Sequence, residues 1–205
     1  MDNTDKQLIS ILQKDGRTSL SKLGKELDMS HVAVSKRLDK LIKEGAVHIC
    51  AGVNADSLNI KILFIGLETE NSEVTDQLLK KYKNCPRLTM LAPVTGRYNL
   101  FAVMVAEDTF SLESILGTCS IRTQPGIRKS EAWFGNSPTL PEFIHLDLSP
   151  AKKKDKSEAA CGFVCETCKR FVMDRCVGCP STSSYKGRLW ASPLTKGRKR
   201  AKSKS

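Results

Sequence analysis

The spacing of apolar residues changes once along this 205-residue chain, near residue 53, and that change limits which layers it can build. Before it, apolar residues recur three and four positions apart. Leu8, Ile11 and Leu12 share one helical face, and Asp15-Gly16-Arg17 ends that run as a turn. Leu20, Leu23 and Leu27 mark a second helix, with Thr18 or Ser19 placed to cap it. Asp28-Met29-Ser30 is a tight connection into a third helix running to about Glu44, which Gly45 closes. Ala46 to Val53 is rich in β-formers and predicts a wing strand. Residues 1–53 therefore predict a winged helix-turn-helix domain.

The third helix separates its faces. Val34, Leu38, Leu41 and Ile42 form an apolar stripe; Val32, Lys36, Asp39, Lys40 and Lys43 lie opposite, with Ser35 and Arg37 on the flanks. A helix this wide fits the major groove, and a start that is small and polar lets it approach base edges. Thr18, Ser19, Ser30, His31, Val32, Ala33, Ser35, Lys36, Arg37 and Lys40 are the candidate DNA contacts. His31 is the weakest of these, because it leans towards the buried side. The alternative for the whole helix is an ordinary surface helix solvated by its lysines.

After residue 53 the period shortens to two and alternates with helical stretches. Lys61 to Leu67 is apolar on both alternating sets, so both faces of that strand need cover. Asn71–Tyr82 is helical, Leu88–Val94 and Leu100–Val105 are strands, Glu107–Leu116 is a second helix, and Ile127–Phe134 is a half-exposed strand. The order βαββαβ predicts a ferredoxin-like domain over residues 58–136, with both helices on one face of its sheet. The other face needs a partner, most simply a second copy of the chain. The predicted class is α+β.

Charge is concentrated at one end. Residues 150–205 carry 15 Lys and Arg against 4 Asp and Glu, which equals the net +11 of the whole chain. Such a segment attracts polyanions, nucleic acid foremost, or simply keeps the protein in solution. Its last part, Lys196 to Lys204, has the composition of a disordered basic arm. No run approaches the ~20 apolar residues of a membrane-spanning helix, and the first residues lack the pattern of a secretion signal. A cytoplasmic protein without membrane contact is expected.

Eight cysteines are unevenly placed. Cys50, Cys85 and Cys119 are scattered among apolar residues and read as inert thiols. Cys161, Cys165, Cys168, Cys176 and Cys179 fall within nineteen positions. They follow a polar linker, Ser149 to Ser157, which predicts a separate small module over 150–205. Without a secretion signal, this density points to metal before disulfides. Two Cys-x-x-Cys pairs suit a tetrahedral zinc ion. The fifth thiol and the short seven-residue gap leave an iron–sulfur cluster or Cu(I) open. Cys161-x3-Cys165-x2-Cys168 also matches the spacing of radical SAM enzymes, but nothing after residue 168 is large enough for the barrel that chemistry needs, and an enzyme is not expected.

Taken together, these residues resemble the Lrp/AsnC, or feast/famine, family of transcription regulators. The resemblance rests on Asp5, Ile9-Ser10-Ile11-Leu12-Gln13, Arg17-Thr18-Ser19, Leu23, Met29 to Leu38 and Leu41 to Val47. It continues in Val94-Thr95-Gly96-Arg97-Tyr98-Asn99-Leu100, and spans residues 5 to about 135. It implies a homodimer or higher homo-oligomer built on back-to-back sheets, with paired helix-turn-helix units on pseudo-palindromic double-stranded DNA. It also implies a small-molecule effector near Gly96, Tyr98 and Asn99. The chain departs from the family at Arg97 and Asn99, where carboxylates are common, and so lacks natural partners for a ligand's ammonium group. The competing function is an architectural DNA- or RNA-associated protein that binds mainly through its basic C-terminal segment.

Overall fold

The computed structural model describes residues 1–118, 121–149, 157–159 and 161–190, in two compact units, Met1–Ala51 and Gly52–Ser205. Cys119, linker residues 150–156 and the basic run 196–204 lie outside the described residues. The first unit holds α1 (Asn3–Lys14), α2 (Leu20–Glu26) and α3 (His31–Lys43). The second holds β1 (Val53–Asn54), β2 (Lys61–Thr69), α4 (Ser72–Tyr82), β3 (Leu88–Pro93) and β4 (Leu100–Ala106). It continues through α5 (Thr109–Gly117), a 3-10 turn (Ile121–Thr123), β5 (Ile127–Gly135), β6 (Phe143–Ile144) and α6 (Lys169–Val172). Among the described residues no helix is long and apolar enough to cross a membrane.

Local chemistry sets the helix ends of the first unit. Asp2 caps α1 by accepting from the Asp5 N–H at 2.9 Å, and Asp5 accepts from the Asp2 N–H at 2.8 Å. Ser19, the second of the two candidates, caps α2, and Ser30 caps α3. Gly45, at φ +72°, closes α3 and lets Ala46 N–H donate to the Leu41 carbonyl at 2.9 Å. Leu8, Leu23, Val34 and Leu41 form the buried centre, flanked by Ile11, Leu12, Leu27 and Leu38. Burial of each such side chain contributes about 1.5–3 kcal/mol.

Two expectations for this unit fail. Ile42 does not join the stripe; it is 43% exposed in the last turn of α3, which ends one residue later. Ala46 to Gly52 forms no strand. A wing strand needs a neighbour for its backbone groups, and the first unit is all helix. Only Val53–Asn54 is extended and paired, and its partner is β6 in the second unit.

The second unit has the predicted ferredoxin-like order. Its antiparallel sheet runs β3-β4-β2-β5. Leu63, Ile65 and Leu67 of β2, with Leu100, Ala102 and Met104 of β4, pack beneath Leu78 and Tyr82 of α4 and Leu112 and Ile115 of α5. The alternate residues face the other way, as the doubly apolar β2 demands. At one end of that face, Ile62 and Val105 are covered by the chain itself, through Ile144, Leu146 and Trp190. Towards its other end Met90 and Trp133 are exposed beside half-buried Phe64, Phe101 and Val103.

The cysteine-rich segment does not stand apart behind a linker; it packs on the sheet domain. Buried Ser111 and Ser114 on α5 receive it: Arg170 Nε donates to Ser114 Oγ at 2.6 Å, and Val177 N–H to Ser111 Oγ at 3.4 Å. Arg170 also pairs with Glu113 at 2.9 Å, and Arg175 lies over the Phe110 ring. A segment with one four-residue helix has too little apolar surface for a core of its own, so it shares its neighbour's.

Candidate nucleic-acid interface

The turn between α2 and α3 is set by a glycine. A Cβ on Gly24 would lie 2.5 Å from the Met29 carbonyl oxygen and 3.4 Å from the His31 nitrogen. Without one, Met29 N–H donates to the Gly24 carbonyl at 2.8 Å, and Asp28 takes the left-handed conformation at φ +52°. This close approach fixes the angle at which α3 leaves. The sequence signal for it was a glycine inside the short α2, seven residues ahead of α3.

The candidate DNA contacts separate by their surroundings. Ser30, His31, Val32, Lys36 and Lys40 are exposed, and Ala33 and Ser35 are half-buried. His31 thus faces solvent, contrary to the leaning towards the core expected of it. Ser19 and Ser30 use their hydroxyls as acceptors for Lys22 N–H and Ala33 N–H, each at 3.2 Å, and Thr18 Oγ1 donates to the Asp15 carbonyl at 2.8 Å. Lys40 lies 3.9 Å from Glu44, a loose surface pair.

Arg37 differs from the lysines. Its Nη1 donates to Asp2 at 2.6 Å and to Asp5 at 2.7 Å, tying α3 to the start of α1. The Arg37 hydrogen bond, followed by the Asp2 N–H, holds the Asp5 carboxyl below its usual range. Asp2 is lowered in the same way, by the Asp5 N–H first and Arg37 second. Of the two carboxylates only Asp5 carries the family resemblance, and the role of the pair as an anchor for α3 needs the folded structure.

The candidate effector residues are held differently from one another. Asn99 accepts from Thr69 N–H at 2.8 Å, and its Nδ2 donates to the Thr69 carbonyl at 3.1 Å, so its amide staples the β3–β4 loop to β2. Gly96 is exposed at φ +145°, with open space around it. Tyr98 lies flat over Gly66, where a Cβ would come within 2.6 Å of its ring, and meets Trp133 edge-on at 6.3 Å. Its hydroxyl is near Glu131 without reaching hydrogen-bonding geometry. Glu131 pairs with Arg97 at 3.2 Å.

In the cysteine-rich segment, Cys165, Cys168, Cys176 and Cys179 border one small cavity, with Arg87, Ile115, Phe163, Phe171 and Gly178 among its other walls. Cys161 does not border it and packs instead against Ala159 and the sheet core. The expected five-thiol set is therefore divided. Among the described residues no three His, Cys, Asp or Glu side chains are gathered as a ready ligand set. Burial pushes the Cys165 thiol up to about 11, and the Cys179, Cys176 and Cys168 thiols add to that rise.

Comparison with known proteins agrees with this geometry. The AsnC-type helix-turn-helix domain model matches residues 1–42. An uncharacterized HTH-type transcriptional regulator of Pyrococcus horikoshii, PH0140, is 27% identical over 118 residues, covering 57% of this chain and 74% of its own. The HTH-type transcriptional regulator LysM of Saccharolobus solfataricus is 24% identical over 140 residues, covering 68% and 92%. The solved structure of E. coli AsnC superposes with a TM-score of 0.58 at 21% identity, covering 68% of this chain and 95% of its own. With an AsnC-type helix-turn-helix followed by a ferredoxin-like sheet domain, this chain is a DNA-binding transcription regulator similar to those of the Lrp/AsnC family.

Proposed function

We propose that the chain acts in the cytoplasm as a dimer that recognises a specific double-stranded DNA sequence, with α3 of each copy in the major groove. One observation carries this reading: α3 exposes Val32, Lys36 and Lys40 on the surface opposite the buried Val34 and Leu41, with Ser30 and His31 exposed at its start. Arg37, held by Asp2 and Asp5, positions the helix and is not counted among the contacts. Met90 and Trp133, exposed on the open part of the sheet face, support the pairing of two copies there and so of two reading heads.

Footprinting on the chain's own promoter tests the reading. Lys36→Ala with Lys40→Ala should weaken protection and lower the salt dependence of binding by about 0.9 per phosphate contact removed. A second reading is favoured by the charge of residues 150–205, in which the basic segment dominates as an architectural DNA or RNA binder. Affinity that survives the double lysine variant but collapses on deletion of residues 191–205 would establish that reading instead.

A small-molecule effector on the sheet domain would meet Tyr98, Trp133 and the backbone at Gly96, with Glu131 as the acidic group that Arg97 and Asn99 do not supply. Asn99 holds the loop from behind. Ligand-induced quenching of Trp133 fluorescence, lost in Tyr98→Ala, tests this placement.

A further inference from the structure

Two Cys-x-x-Cys turns, separated by seven residues and α6, converge on one cavity of about 20 Å³. Each is a tight backbone knuckle. In the first, Cys168 N–H donates to the Cys165 carbonyl at 2.9 Å; the second is followed by a turn in which Thr182 N–H donates to the Cys179 carbonyl at 3.0 Å. Between Cys176 and Cys179, Gly178 sits at φ +85°, and a Cβ there would lie 2.8 Å from the Ser184 carbonyl oxygen. Cysteines three positions apart in such turns can both ligate one metal ion. The walls include Phe163, Phe171 and Ile115 and no carboxylate or histidine, so beside the hydroxyls of Ser114 and Thr118 the side-chain donors that the cavity offers are the four sulfurs.

Among the described residues, the segment's own packing is slight beside its contacts with α5 and Arg87. Its buried apolar cluster is Ala159, Cys165 and Cys179, with Phe163, Phe171 and Cys161 around them. So small a cluster is supplemented by contacts with the sheet domain, and metal–thiolate bonds add folding energy in segments of this size.

Arg87 connects this cavity to the sheet domain. It is buried beside the cavity, pairs with Glu107 at 2.7 Å, lies over the Trp190 ring, and donates through Nη2 to the Gly178 carbonyl at 2.8 Å. Four thiolates around a divalent ion carry a net charge of −2, and Arg87 is the cation in the cavity wall. Tyr185 donates to the same Glu107, and Trp190 completes the cover over Ile62 and Val105.

We propose that Cys165, Cys168, Cys176 and Cys179 bind one zinc ion as a four-thiolate site, and that the ion locks the C-terminal segment onto the sheet domain through Gly178 and Arg87. Binding replaces the four thiol protons, which pass to solvent, and draws the side chains inward by rotation about χ1. Cys161 is not a ligand. The proposal does not depend on how α3 reads DNA.

The test uses the full chain, purified without oxygen, stripped with a chelator and titrated separately with Zn(II) and Co(II). One equivalent of each should bind, and Co(II) should give the visible bands and near-ultraviolet charge transfer of a tetrahedral four-thiolate site. Cys165→Ser and Cys179→Ser should each weaken binding by more than about 100-fold, while Cys161→Ser should keep the stoichiometry and the spectrum. Zinc should slow proteolysis between residues 157 and 190 by about tenfold, with helix-turn-helix circular dichroism as the folding control. A chain that binds neither ion, carries an iron–sulfur chromophore instead, loses the site in Cys161→Ser or keeps it in Cys165→Ser overturns the assignment. Proteolysis indifferent to zinc overturns the lock.

Discussion

Arg37 on α3 donates to Asp5 on α1 at 2.7 Å, so the most strongly basic side chain of the reading helix is an internal strut. Its partners Asp2 and Asp5 are both held below the ordinary carboxylate value of 3.8. A carboxyl with a lowered folded pKa stabilises the fold above its unfolded pKa and loses that contribution as pH falls through the folded value. Hydrogen exchange of α1 and α3 amides should therefore accelerate as pH drops below about 4, once corrected for intrinsic exchange. Asp5→Asn should be less protected at neutral pH and should flatten that acid response. An unchanged acid response in Asp5→Asn would remove the strut from the account.

Gly24 and the Met29 carbonyl leave no room for a methyl group. Gly24→Ala should destabilise the first unit by about 1–3 kcal/mol, because the obstacle is backbone and cannot swing aside. DNA affinity should fall with it, since the angle of α3 opens. Gly16→Ala, whose Cβ would meet only the Leu12 carbonyl at an ordinary 3.7 Å, is the control and should leave both nearly unchanged. Urea unfolding and electrophoretic mobility shift measure the pair.

Asn99 is both donor and acceptor to Thr69. Asn99→Asp removes the Nδ2 donor and sets a carboxylate oxygen against the Thr69 carbonyl. It should cost about 1–3 kcal/mol and lower the melting temperature of the sheet domain. An unaltered melting curve would mean that the loop is not stapled there.

Arg87 and Glu107 form a buried ion pair, with side chains 5% and 12% exposed. Arg87→Ala should cost about 3–5 kcal/mol, because it strands the Glu107 charge. The Arg87→Ala/Glu107→Ala double variant should cost less than the sum of the singles. Additive costs in denaturant unfolding would show that the two residues act independently.

Much of this architecture was legible in the sequence, for identifiable reasons. The helix caps and Gly45 work through neighbours within four residues, and the strands of the sheet domain follow an alternation that survives any packing. The solvent-facing surface of α3 around Val32, Lys36 and Lys40 follows from the same periodicity. Features that depend on distant partners were not legible: the Arg37 strut spans more than thirty residues, and Arg87 reaches Gly178 across 91. The burial of Ser111 and Ser114 on α5 likewise depends on the cysteine-rich segment that lies on them.

The sequence by itself determined the local elements, because capping, turn chemistry and hydrophobic period act over a few residues and need no knowledge of the fold. It determined their order as well, and with it the helix-turn-helix and the ferredoxin-like sheet. Only the tertiary structure decided that the expected wing strand would dissolve, that Val53–Asn54 would pair with Phe143–Ile144, and that four of the five clustered thiols would share one cavity. Those outcomes depend on which surfaces meet. Unpaired backbone and apolar faces are satisfied by whatever partner the folded chain brings within reach, and that partner is set by three-dimensional proximity, not by spacing along the chain.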